Sequence, residues 1–197
     1  MDNFKIGVFD LFGAILPGIP IVVLFVLFCN MNLDISAVVD YVTTMNLNTF
    51  VFWTLICYSV GFVMQYLSYE FFKIILERNK TFWSKRIGKH PISIGKRGKK
   101  ITLIRHYSPE NFKILNTFMA LRTMCYNMFF SLMLFFIGVF FIAAFNCSWG
   151  KDTFFILFIT LCLLILFLRR AVSFHEWIQN MISECNPILK KALSNKN

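Results

Sequence analysis

Four stretches of the chain contain no charged side chain: Leu11–Asn32, Tyr41–Tyr69, Thr123–Gly150 and Thr153–Leu168. A helix that crosses a bilayer needs ~20 mostly apolar residues, within a range of ~17–25. Three stretches meet that length directly. The fourth has 16 residues and reaches it through its flanks, with Lys151 at one end and Arg169 and Arg170 at the other snorkelling to the headgroups. Composition points the same way: 57% of the residues are apolar and 15% charged, against ~25% charged in soluble domains. The sequence therefore predicts an all-α membrane protein with four transmembrane helices, over about 8–31, 46–69, 123–146 and 152–169.

The first of these opens with FDLFGAILPGIP, which places two glycines and two prolines inside an apolar run. The run is longer than the ~7–15-residue core of a signal peptide, and no small-residue cleavage site follows Cys29, so the segment is expected to stay in the mature protein. A break at Pro17–Gly18 would leave only Ile19 to about Leu33, ~22 Å of helix against ~30 Å of hydrocarbon. A continuous helix bent at Pro17 and Pro20 is long enough. Gly13 would relieve the clash between the Pro17 ring and the carbonyl four residues back. Ala14 and Gly18 form a small-x-x-x-small pair that lets another helix approach closely.

Charge sets the expected orientation. Residues 70–122 hold 13 of the 20 Lys and Arg against Glu70, Glu77 and Glu110, and residues 169–197 add five more against Glu176 and Glu184. Residues 30–48 carry Asp34 and Asp40 and no Lys or Arg. Positive segments stay on the cytoplasmic side, so both termini and the middle segment are expected to be cytoplasmic. Cys29 and Cys147 then fall at the same outer face and could pair. The six cysteines show no C-x-x-C spacing, and neither a metal site nor a cofactor is expected.

The helices are expected to continue below the membrane. Ser108, Pro109 and Glu110 form a helix start, and a helix from there to Ala144 would be ~54 Å long, well beyond ~30 Å of hydrocarbon. After the last span, Phe174, Trp177, Ile178, Met181, Ile182 and Cys185 recur at helical spacing, which predicts an amphipathic helix over 170–186. Between these, Ile92–Ile94 and Ile101–Ile104 flank GKRGKK and read as a short β-hairpin. Its basic residues Lys96, Arg97, Lys99, Lys100 and Arg105 suit anionic lipid or RNA. The glycines there do not have P-loop spacing.

The spans hold no ionisable group near their centres, which argues against an ion-coupled transporter. Ser59, Asn127, Ser131 and Thr160 are expected to bond between helices. A passive pore built from several copies needs no buried charge. The one pattern with catalytic chemistry is Arg170 followed by His175 in RRAVSFHEW, since imidazole can move a proton and guanidinium can hold phosphorane charge. On one continuous helix a five-residue step turns ~500°, which leaves the two side chains ~140° apart. Interface anchoring by Arg169 and Arg170, with His175 on the flank of the amphipathic helix, uses the same residues without chemistry.

The D-x-F-G-x-x-x-P-G run over Asp10–Gly18 and the R-x-x-x-x-H run over Arg170–His175 resemble two known motifs. The first is similar to the opening of small four-span bacterial proteins encoded in antiviral loci. The second is similar to the motif of HEPN (higher eukaryotes and prokaryotes nucleotide-binding) nucleases. Together they resemble the small transmembrane accessory proteins encoded beside type VI-B CRISPR effectors, which target RNA. That resemblance implies a multi-pass inner-membrane protein, a homo-oligomer able to form a pore, that modulates RNA-guided antiviral defence through an RNA-targeting partner. It also implies Arg170 and His175 as a metal-independent endoribonuclease pair, with Glu176 beside them. A membrane-tethered ribonuclease, and a small channel or transporter subunit without an immune role, are the alternatives.

Overall fold

The computed structural model describes residues 8–30, 40, 42–78, 94–146, 149–185 and 187. Over these the architecture is all-helical, with five main helices: α1 (Val8–Asn30), α2 (Leu47–Arg78), α3 (Ile94–Tyr107), α4 (Pro109–Phe145) and α5 (Lys151–Glu184). α2, α4 and α5 are long and apolar enough to cross a membrane. α1 has 23 residues and runs on through Pro17 and Pro20. Neither proline has an N–H to donate, so the carbonyls of Gly13 and Leu16 lose their intrahelical partners.

α4 is the centre of the bundle and packs against each of the other four helices, while α1 also packs closely on α2. The pairings fix the directions. Gly18 of α1 lies against Cys57 of α2, and Gly61 of α2 against Ala14 of α1. Leu27 of α1 shares a cluster with Val139, Ile142 and Ala143 of α4. Ser68 of α2 meets Asn127 of α4. Leu115 of α4 is packed with Ile178 and Ile182 of α5, and Cys125 with Ala171 and Phe174. α1 and α4 thus run one way and α2 and α5 the other, as in an up-and-down bundle.

One end of this bundle gathers the end of α2, all of α3, the start of α4 and the end of α5. It carries Lys73, Lys100, Arg105, Lys113, Arg122, Arg169 and Arg170 against Glu70, Glu110, Glu176 and Glu184; the described residues at the opposite end carry Lys151 with Asp40 and Asp152. Only 11% of the apolar window of α2 and 17% of that of α5 are buried. Exposed apolar surface on that scale far exceeds the few hundred Å2 that a soluble monomer shows, so the outward faces need a lipid or protein environment.

The segment around GKRGKK is a helix, not the expected β-hairpin. Residues 94–107 are α3, and Ile92 lies outside the described residues. The apolar positions explain the difference. Ile101 and Ile104 are three apart and share one helical face, with Ile104 buried against Leu115, Ile178 and Ile182. A three-residue spacing serves a strand poorly, since it puts the two side chains on opposite faces. The GKRGKK run occupies the first turns of that helix instead of a loop.

α4 starts at Pro109 with Ser108 in the capping position, although the Ser108 hydroxyl caps no backbone N–H. It accepts a hydrogen bond from Asn111 Nδ2 at 2.9 Å instead. α5 is one unbroken helix of 34 residues, so the amphipathic segment after Arg170 continues the apolar one before it. At ~1.5 Å per residue it extends ~51 Å, and its last turns lie beyond a ~30 Å hydrocarbon layer.

Candidate functional site

The apolar helices end at a common level, and that level is basic. On α5 the uncharged stretch ends at Leu168, followed by Arg169 and Arg170; on α4 it begins after Arg122; on α2 it ends before Glu70 and Lys73. Cys125 packs on Ala171 and Phe174, and Phe72 stacks on Tyr126 with centroids 4.1 Å apart, so these three ends lie side by side. The result is a collar of cations around one end of the apolar bundle.

Aromatic rings hold three of the arginines. The Arg170 guanidinium lies 4.7 Å from the Phe174 ring centroid and 5.2 Å from that of Trp177. Arg122 lies 5.8 Å from the Tyr126 centroid and Arg105 lies 5.7 Å from that of Phe112. Each arrangement is attractive because the ring face is negative. Lys73 pairs with Glu70 at 3.5 Å. Arg105, Arg122, Arg169 and Arg170 make no ion pair among the described residues.

The two residues of the R-x-x-x-x-H run are not brought together within one chain. Arg170 is exposed and engaged with Phe174 and Trp177, whereas His175 is 6% exposed and belongs to the buried face of α5. An unbroken helix over both residues produces this separation. Of the other basic positions singled out, Lys96, Arg97 and Lys99 fall in the first turns of α3, where only the backbone is described. Lys100 is half-buried and Arg105 exposed.

A second feature is a polar seam between α2 and α4. Ser68, Asn127 and Ser131 are 1%, 1% and 0% exposed, so all three are sealed from lipid. The single Ser68 hydroxyl hydrogen is shared between Asn127 Oδ1 across the helices and the Gln65 carbonyl of its own helix, 3.1 Å from Oγ. Ser131 Oγ and Asn127 Nδ2 have no partner among the described residues. Of the four residues expected to bond between helices, Asn127 alone does so among the described residues. The Ser59 hydroxyl donates to the Leu55 carbonyl at 2.9 Å and that of Thr160 to the Ile156 carbonyl at 2.7 Å, each within its own helix. Ser68 was not distinguished by sequence, because one serine near the end of an apolar run carries no periodic signal. Replacing Ser68 with alanine removes the interhelical bond; we expect a loss of about 1 kcal/mol in a thermal or denaturant unfolding series in detergent, within the ~0.6–1.7 kcal/mol typical of such bonds.

Ala14 and Gly18 are buried against α2, Pro17 is buried and Pro20 half-buried, and a side chain built at Gly13 would come no closer than 3.9 Å to Gln65. At the other end of the bundle, a cleft of about 690 Å3 between α1 and α4 is lined by Ile21, Leu24, Phe25, Phe28, Phe141 and Phe145 among others, all apolar. Among the described residues no three His, Cys, Asp or Glu side chains are grouped to hold a metal. Cys29 is exposed, and Cys147 lies outside the described residues.

These features define a class: an all-helical protein of membrane type, with a basic collar at one end of its apolar helices. No family model, curated protein or solved structure matches the chain.

Proposed function

We propose that this chain is a multi-pass inner-membrane accessory of prokaryotic antiviral defence. In this reading it self-associates in the bilayer and modulates RNA-guided immunity, with a pore between copies as its means of changing permeability. α1 provides a fourth span, since 23 helical residues extend ~34 Å against ~30 Å of hydrocarbon. The basic end of the bundle, with both chain termini, faces the cytoplasm.

The observation that carries the membrane part is the segregation just described: every described cation except Lys151 gathers at one end of a bundle whose α2 and α5 are largely unburied. Those outward faces also leave room for further copies. The immune role is supported by the resemblance of Asp10–Gly18 and Arg170–His175 to the two motifs. The ribonuclease alternative has less support, because a catalytic pair would need His175 to leave the buried face or a neighbouring copy to supply the second residue.

The test combines three readings on the same protein. Purified in mild detergent, it should run as an oligomer. Its induction with an RNA-targeting CRISPR effector should raise phage resistance above that of the effector alone and depolarise the membrane during infection. A monomer with no effect on resistance or potential would refute the proposal. Retention of all three effects in Arg170→Ala/His175→Ala would refute the ribonuclease alternative; RNA cleavage lost in that variant alone would support it.

A further inference from the structure

A guanidinium at the edge of hydrocarbon needs a counter-charge, and the described residues give Arg170 none. It is nevertheless fixed in place. Its guanidinium carbon lies over the rings of both Phe174 and Trp177, which stand at 82° to each other, and the residue as a whole is exposed. Trp177 is 41% exposed, and its indole N–H makes no hydrogen bond among the described residues. Two donor-bearing groups therefore lie within 5.2 Å of each other, and neither is hydrogen-bonded or ion-paired among the described residues. Arg169, also exposed and without an ion pair, precedes them on the same helix.

We propose that Arg170 and Trp177 form a binding site for the phosphate of an anionic phospholipid in the leaflet at the basic end of the bundle, with Arg169 adding positive charge. This inference rests on the membrane placement of α5 and not on the immune role. The guanidinium fork matches the geometry of phosphate oxygens and can donate two parallel hydrogen bonds. Indole rings favour this depth because one edge is apolar and the other can donate a hydrogen bond. A lipid is the occupant that fits the surroundings. The site borders the exposed apolar side chains of Leu166 and Leu163, four and seven residues before Arg170 on the same helix face, which acyl chains would cover and an RNA backbone would not. A net negative headgroup is favoured over a zwitterionic one, because two adjacent arginines that make no ion pair among the described residues repel a choline or ethanolamine cation.

The site also gives Arg170 a role that needs no partner histidine. The residue would act as a ligand for the membrane and His175 as a core residue of the same helix, so the spacing between them would carry no chemical meaning.

The test uses the full chain in nanodiscs of phosphatidylcholine, with or without added phosphatidylglycerol. For the unaltered protein, phosphatidylglycerol should raise the unfolding temperature by several degrees. In Arg170→Gln that rise should vanish, while the unfolding temperature in phosphatidylcholine alone stays that of the unaltered protein. Trp177→Phe, which keeps a ring but removes the indole N–H, should retain part of the rise. Brominated lipids give a readout that does not depend on the variant at position 170. The quenching lost on Trp177→Phe should be larger with brominated phosphatidylglycerol than with brominated phosphatidylcholine. Equal quenching by the two lipids, or a full phosphatidylglycerol rise in Arg170→Gln, would overturn the proposal. So would a short single-stranded RNA that abolishes the lipid preference through Arg170, which would reassign the site to nucleic acid. Failure of the phage test with success here would remove the immune reading and leave the lipid site standing.

Discussion

Gly61→Ala and Gly18→Ala are expected to separate α1 from α2 and to cost more stability than any other single-methyl addition to the bundle. A Cβ at Gly61 would lie 1.7 Å from the Ala14 carbonyl oxygen, and one at Gly18 would lie 1.9 Å from that of Cys57. Both obstacles are backbone atoms in the interior of helices, so neither can move without moving its helix. The two sites are reciprocal: each glycine turns its Cα–H toward a carbonyl of the other helix, a weak attraction that a methyl group would replace with overlap. Overpacking a core usually costs ~1–3 kcal/mol through side-chain and backbone shifts; these two sites belong at or above the top of that range. The remaining glycines supply controls. At Gly138 the nearest atom to an added Cβ is the end of the Leu24 side chain, at 2.4 Å, which can rotate away, so Gly138→Ala should cost less. At Gly13 the nearest is Gln65 Nε2 at 3.9 Å, and Gly13→Ala should be close to neutral. Thermal unfolding of the four variants in one detergent should give that order, with Gly61 and Gly18 worst. Gly18→Leu should still insert into membranes, because insertion depends on the apolarity of α1 and not on its neighbour.

Leu115→Ala is expected to produce the second large effect, at the basic end. Leu115 is 0% exposed and sits with Ile104, Ile178, Ile182 and Cys185 where α3, α4 and α5 meet. This cluster lies below the level at which the uncharged stretches end, so its alternative environment is water and the full hydrophobic effect applies. Truncating a buried leucine costs ~2–5 kcal/mol, depending on how far its neighbours collapse into the space. Because α3 is anchored mainly through Ile104, the loss should appear first as faster hydrogen exchange over residues 94–107, before the spans are affected. A comparable truncation on the exposed faces, Phe155→Ala or Leu166→Ala, should change stability little, since lipid solvates those side chains in the folded state and in the inserted, unpacked state.

The contrast between these sites explains what sequence could convey. Charge-free length is a property of local composition, and it located α2, α4 and α5 well because a bilayer imposes the same length on every span. The close contact at Ala14 and Gly18 was also visible as small-residue spacing. Its partners Cys57 and Gly61 lie in a different helix, four residues apart, and their register against α1 is a tertiary fact. For residues 94–107 the opposite holds. A short apolar run such as ITLI suits a strand or a helix, and the burial of Ile104 by α4 and α5 decided between them. Likewise the Arg170–His175 spacing can be counted in sequence, and Phe174 and Trp177 fall on the helix expected over 170–186, but that Arg170 lies over both rings is a matter of side-chain placement that spacing alone does not fix. Phe174 and Trp177 stand four and seven residues after it, at the positions a helix brings alongside.

Four spans with the basic end in the cytoplasm are the central expectation, and reporter fusions test it directly. Alkaline phosphatase and green fluorescent protein would each be fused after residue 37, within 85–90, after residue 148 and after residue 197, and expressed in bacteria. Phosphatase activity without fluorescence at 37 and 148, with fluorescence without phosphatase activity at 85–90 and 197, is the predicted pattern. The reverse pattern, or fluorescence at 37 together with phosphatase activity at 85–90, would contradict it; in the latter case α1 would not cross the membrane and the basic collar would face the wrong leaflet.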